Sequence, residues 1–269
     1  MLRPRIVSII FVSGSKGGVG KSTLVANLAM LFDVDVAIID LGIDGNMSVS
    51  MLHGVSADCP GFLDHVLLNV EAKIERSKYA GNVYIVPPGR IKGFRASMLS
   101  IANKDVLKSR IDRFMSWLRD QGFQVALFDA PANAELLSLL YVSLLYTCDI
   151  INIVVEPSPL CLETVQAWWD NFSRAISRTS QIVNLIVNKY MKSMNGALSY
   201  LCKYTINGNV HKIPFDSYTL ILSNRCELAV RYKEAGKFNK ALQSLYKSLV
   251  HQISSYLGIS RQSIRKGRR

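Results

Sequence analysis

Apolar residues follow two different periods along the chain. Continuous runs rich in branched residues lie at 6–12, 35–39, 83–86, 125–128, 150–155 and 182–187, and they read as strands buried on both faces. Between them the period is helical. The stretches 24–31 and 47–52 have this character. So does 103–120, where Leu107, Ile111, Phe114 and Leu118 recur on one face and Gly122 marks the stop. The stretch 135–147 is apolar nearly all round and must be covered on most sides, by packing within the monomer or by a second copy. A helix is expected over 162–177, with Trp168 and Trp169 as packing residues, and two more over 229–235 and 240–257. In the last, Leu242, Leu245, Leu249 and Ile253 form one stripe that docks on the domain. Segment 53–82 is mixed and partly basic and reads as a loop-and-helix excursion, and 190–210 is rich in Ser, Asn and Met. Strand alternating with helix predicts an α/β fold in three layers, a mostly parallel twisted sheet with helices on both faces.

A chain of 269 residues with 49% hydrophobic content can bury one substantial core. No long linker or repeat divides it, so one domain is expected over 1–257, followed by a basic tail over 258–269. Cys59, Cys148, Cys161, Cys202 and Cys226 form no CxxC pair or metal spacing, and they read as free thiols in a reducing compartment. The first twelve residues resemble a signal peptide only until the next segment is read, because cleavage there would destroy the loop described below. The longest apolar stretch, 136–148, is too short to span a membrane.

The chemistry concentrates after the first strand, in Ser13-Gly14-Ser15-Lys16-Gly17-Gly18-Val19-Gly20-Lys21-Ser22-Thr23. A glycine loop between strand and helix can turn its N–H groups onto phosphate, and the helix N-terminus adds more. Lys21 can reach the β- and γ-phosphates and Ser22 can meet Mg²⁺. Two carboxylates, Asp40 and Asp129, stand at the ends of later strands, where a metal or its waters would be held.

The loop departs from the general phosphate-loop pattern, because Ser15 stands where that pattern has glycine and Lys16 adds a second lysine. Lys-Gly-Gly-Val-Gly-Lys-Ser resembles the deviant phosphate loop of the ParA/MinD family, P-loop NTPases that bind ATP and Mg²⁺. The resemblance implies that Lys16 crosses a dimer interface to the partner's nucleotide. It implies further that Ser15 to Thr23 cradle ATP, that Ser22, Asp40 and Asp129 serve the metal, and that Asn188 reads the adenine edge. Segment 210–216, with Ile213-Pro214, resembles the last strand and its turn, so Pro214 flanks the base. Asp40-Leu41-Gly42-Ile43-Asp44-Gly45-Asn46 resembles the first switch, and Asp129-Ala130-Pro131 the second. Gly42 replaces the family's water-positioning aspartate. Three readings fit that change: Asp44 moves in as the catalytic carboxylate, hydrolysis is slow and ATP acts as a long-lived clamp, or a partner supplies the group. Weak intrinsic hydrolysis is the favoured one.

A net charge of +12 exceeds what ATP and Mg²⁺ require. It suggests nucleic acid or an anionic membrane, or simply a solvated cationic surface. Arg90, Lys92 and Arg95 form one basic loop, and Arg261, Arg265, Lys266, Arg268 and Arg269 a basic tail. The tail has little apolar surface for a bilayer, whereas phosphate backbone needs only charge and reach. The expectation is therefore a homodimer formed on ATP, binding duplex DNA non-specifically in a cytoplasmic, nucleoid-associated setting, with a partner protein that stimulates hydrolysis or anchors cargo. No helix-turn-helix precedes the loop, so operator recognition is not expected. A MinD-like membrane cycle and an ATP-bound regulatory switch with little turnover are the alternatives.

Overall fold

The structure, a computed structural model, describes residues 5–14, 17–42, 49–56, 58–91, 103–132, 138–176, 181–192 and 200–256. The strands are β1 (Val7–Val12), β2 (Val36–Asp40), β3 (Glu75–Arg76), β4 (Val83–Val86), β5 (Val125–Asp129), β6 (Ile150–Val155), β7 (Ile182–Tyr190) and β8 (Val210–Pro214). They form one 8-stranded sheet in the order β3-β4-β2-β5-β1-β6-β7-β8. All neighbours are parallel except the two-residue edge strand β3, which runs antiparallel to β4. β1, β2, β5 and β6 are buried at every position, which is why their sequences are continuous apolar runs.

The helices are α1 (Lys21–Ala29), α2 (Val49–Leu52), α3 (Phe62–Leu68), α4 (Lys104–Asp120), α5 (Ser138–Thr147), α6 (Pro159–Ile176), α7 (Ser217–Asn224) and α8 (Gly236–Tyr256). One face of the sheet carries α1 and α8, which touch each other, and the other carries the row α3, α4, α5, α6. The expected stripe of α4 is buried throughout. Asn103 caps that helix by accepting the Asp105 N–H at 2.9 Å, and Gly122 leaves it at φ 99°. α5 is clamped between α4 and α6, so packing within the monomer accounts for the apolar surface of its described residues. Trp168 is buried and donates from Nε1 to the Tyr141 hydroxyl at 3.0 Å, a packing role as expected.

α8 docks along β8 and α1, with Leu242, Leu245, Leu249 and Ile253 fully buried. It is also held by a buried amide network. Asn184 on β7 donates to Asn152 Oδ1 and to Gln252 Oε1, both at 3.0 Å, and Gln252 Nε2 donates back to Asn184 Oδ1 at 2.7 Å. Buried amides of this kind fix the register of a helix on its sheet more sharply than apolar contact alone.

Several boundaries differ from expectation. α1 begins at Lys21 rather than Leu24, because the loop's last glycine is itself the helix N-cap. The stretch 229–235 is two 3₁₀ turns, Ala229–Arg231 and Lys233–Ala235, separated by extended Tyr232. The loop-and-helix excursion expected over 53–82 contains α3 and, beyond expectation, the edge strand β3, and α7 follows the 210–216 turn. The tail 258–269 lies outside the described residues.

Candidate functional site

The sheet's connections diverge at β1. α1 leaves it on one face toward β2, while β5 reaches β6 through α5 on the other. Such a switch point opens a crevice at the strands' carboxyl ends, and the glycine loop fills it. Gly18 and Gly20 take left-handed angles, φ 76° and 91°, which side chains with a Cβ rarely adopt. Gly14 answers to packing instead: a Cβ there would lie 2.6 Å from the Thr164 carbonyl oxygen of α6. Ser15 and Lys16 lie outside the described residues.

Lys21 is buried and donates from Nζ to Ser13 Oγ at 2.9 Å. Burial lowers its pKa, and the nearby Asp129 charge opposes that shift. Asp40 and Asp129 are paired across the β2–β5 register, so two carboxylates close neighbouring strands side by side. Asp129 is pushed up to about 7, first by burial and then by the Asp40 charge, with Lys21 and a Ser22 hydrogen bond pulling the other way. Its Oδ1 is buried without a hydrogen-bond partner among the described residues. Asp40 is better satisfied. Its Oδ1 accepts the Gly42 N–H at 2.9 Å, and its Oδ2 accepts the Ser50 N–H at 3.0 Å and the Ser50 hydroxyl at 2.6 Å.

A buried, partnerless carboxylate oxygen beside a hydroxyl and a second carboxylate fits a hard divalent cation. Ser22 and Asp129 would hold Mg²⁺ there, with the Asp40 charge beside them. Bound Mg²⁺ supplies neutralisation of charge on phosphate oxygens. Lys21 and the loop's N–H groups would bind and orient those oxygens.

The cavity between these groups measures about 410 Å³, a size that takes a small-molecule ligand. One end is polar, lined by Gly17, Gly18, Gly20, Lys21, Ser22, Thr23, Asp40 and Asp129. The other is bounded by Asn188, Pro214, Phe215, Thr219 and Leu220. Phe215 and Leu220 expose 46% and 49% of their surface, offering apolar faces where a planar base could lie. α7 is tied to α1 by a Thr23–Ser223 hydroxyl contact at 3.2 Å. Charge at one end and apolar surface at the other suit a nucleotide.

Val19, Asn188 and Pro214 thus fall at one place with the described loop residues Gly17, Gly18, Gly20, Lys21, Ser22 and Thr23. Asn188 lines the cavity, and its Nδ2 donates to the Val19 carbonyl at 2.8 Å. Asp44 and Asn46 lie outside the described residues, as do Lys92, Arg95, Arg261, Arg265, Lys266, Arg268 and Arg269. Arg90 is exposed, with its backbone N–H held by Asp64 Oδ2 at 2.8 Å. Sequence reasoning missed Ser50, Lys189 and the whole of α7. Asp216, three residues before Thr219, was the one available signal for α7, since it caps the helix by accepting the Thr219 N–H at 2.9 Å.

A family model described as an AAA domain matches residues 7–185. No curated protein sequence matches the chain. Among solved structures, an ATP complex of McdA from Cyanothece is 16% identical with a TM-score of 0.70, over 91% of this chain and 96% of that one. A ParA family ATPase from Chlorobium tepidum is 15% identical with a TM-score of 0.68, over 91% and 99%. The cell division ATPase MinD from Pyrococcus furiosus is 23% identical with a TM-score of 0.64, over 90% and 99%. At these identities the likeness establishes the fold.

Proposed function

Because the chain belongs to the AAA domain family of ATPases and has the fold of ParA and MinD proteins, we propose that it is an ATP-dependent dimerising ATPase of the DNA-partition type. In this reading ATP and Mg²⁺ fill the cavity, Lys16 reaches the nucleotide of a second copy, and the paired molecule holds duplex DNA non-specifically. Asn188 and Pro214 flank the base. A partner protein triggers release, and intrinsic hydrolysis is slow because Gly42 carries no carboxylate to position water.

The observation that carries the nucleotide half is the pairing of Asp40 with Asp129 beside Ser22 and Lys21, in a cavity of nucleotide size. What favours DNA over a membrane is α8. A helix that cycles onto a bilayer must offer it an apolar face. In α8 that face is spent on the sheet, and Gln252 is hydrogen-bonded within the core. The net charge of +12 then favours a phosphate backbone.

The test is retention of the full chain on non-specific duplex DNA and on anionic vesicles, each with ATP, with ADP and without nucleotide, across a salt series. The expected result is DNA retention that requires ATP and falls about 10³-fold or more between 50 and 200 mM salt. Vesicle retention that requires ATP, with none on DNA, would replace this reading with the membrane-cycling one.

A further inference from the structure

The end of β7 breaks the rule that successive strand residues face opposite sides. Its pairing with β8 shifts register between Val187 and Tyr190: Val187 lies opposite Lys212, and Tyr190 opposite Pro214. Three steps on β7 therefore match two on β8, the signature of a bulge, which re-aims side chains next to a site. Lys189 sits in this bulge with φ 54°, an uncommon conformation for a lysine. As a result Asn188 and Lys189, adjacent in sequence, both reach the same loop. Asn188 Nδ2 donates to the Val19 carbonyl at 2.8 Å, and Lys189 Nζ donates to the Gly18 carbonyl at 2.7 Å. Lys189 also pairs with Glu156, which follows β6.

Two consecutive carbonyls of the glycine loop are thus pulled toward β7. The peptide bonds are trans, so each N–H points opposite to its own carbonyl. Holding the Gly18 and Val19 carbonyls turns the Val19 and Gly20 N–H groups away from β7. We propose that Lys189, held by Glu156, is a positioning residue that latches the phosphate loop with its N–H groups already directed for a polyphosphate. The inference rests on the nucleotide reading above and adds a residue to it. A preset donor array loses less on binding than one that must order first.

The latch acts on the phosphate cradle and not on the base or the chemical step. It predicts that Lys189→Met weakens ADP and inorganic pyrophosphate by the same factor, about tenfold, as expected for loss of a charge-assisted hydrogen bond. The KM for ATP should rise by a similar factor while kcat stays within about twofold. Lys189→Arg, which keeps the cation, should restore affinity to within about threefold. Glu156→Gln leaves the bulge intact and should weaken both ligands severalfold at an unchanged melting temperature, so it decides the matter if Lys189→Met does not fold. Wild-type affinity for both ligands in a folded Lys189→Met or Glu156→Gln chain overturns the latch, as does a loss confined to kcat or one that Lys189→Arg does not repair. If the unaltered chain binds neither ADP nor pyrophosphate, the nucleotide reading itself fails and the latch fails with it.

Discussion

Asp129 is the side chain on which the proposed chemistry turns. Its carboxylate is buried, faces Asp40 and has one oxygen without a donor among the described residues, which is a costly state for the protein to maintain. Asp129→Asn keeps the shape and removes the charge. Mg²⁺-dependent ATP hydrolysis should fall by about 10²-fold or more, while the melting temperature without ligands should not fall. A large drop in melting temperature with hydrolysis retained would mean that the carboxylate serves the fold and not the metal. Lys21, Ser22, Asp40 and Asp129 were legible in the sequence because their positions follow directly from strand ends and loop spacing. Ser50 and Lys189 were not. Ser50 meets Asp40 only after the chain has folded back through α2, and Lys189 meets Gly18 only because a bulge turns it.

At the scale of elements, the end of α2 and the end of β3 are joined by His53, the residue after α2, whose Nδ1 lies 2.7 Å from the Oγ of Ser77, the residue after β3. Burial lowers the His53 pKa to about 4, with a backbone hydrogen bond at Ala26 opposing the shift and nearby Lys78 adding to it. The folded chain therefore keeps this imidazole neutral while the unfolded chain protonates it near pH 6.5. Its contribution to stability is complete above about pH 6.5 and is lost as pH falls toward 4, on the order of 2–3 kcal/mol at the low end. Urea unfolding at pH 7.5 and 4.5 should show that loss, and His53→Gln should reduce the difference between the two. An unchanged difference in the variant would remove His53 from the account.

The central strands and the α4 and α8 helices were readable because burial on two faces, or on one stripe, imposes a regular apolar period. α7 and β3 were not, since one is short and half exposed and the other is a two-residue edge pair. The helix expected over 229–235 fails for a local reason: Tyr232 is extended, at φ −121°, and breaks it into two turns.

For the whole molecule, alternation of strand and helix was enough to give the layered parallel architecture. It could not give the strand order that brings β2 and β5 together and so makes Asp40 and Asp129 neighbours. Nor does the fold choose between DNA and membrane, because a plasmid partition protein and a cell division ATPase share it. The choice rests here on where α8 spends its apolar face and on the excess of positive charge. The central claim is that nucleotide in this cavity controls pairing of the molecule, with Lys16 reaching across. Sedimentation velocity of the full chain with Mg²⁺ and a non-hydrolysable ATP analogue tests it most directly. The 30.0 kDa chain should shift to a dimer with the analogue but not with ADP, and Lys16→Ala should stay monomeric while still binding nucleotide. A chain that remains monomeric with the analogue bound, or a Lys16→Ala chain that pairs as well as the unaltered one, would contradict it.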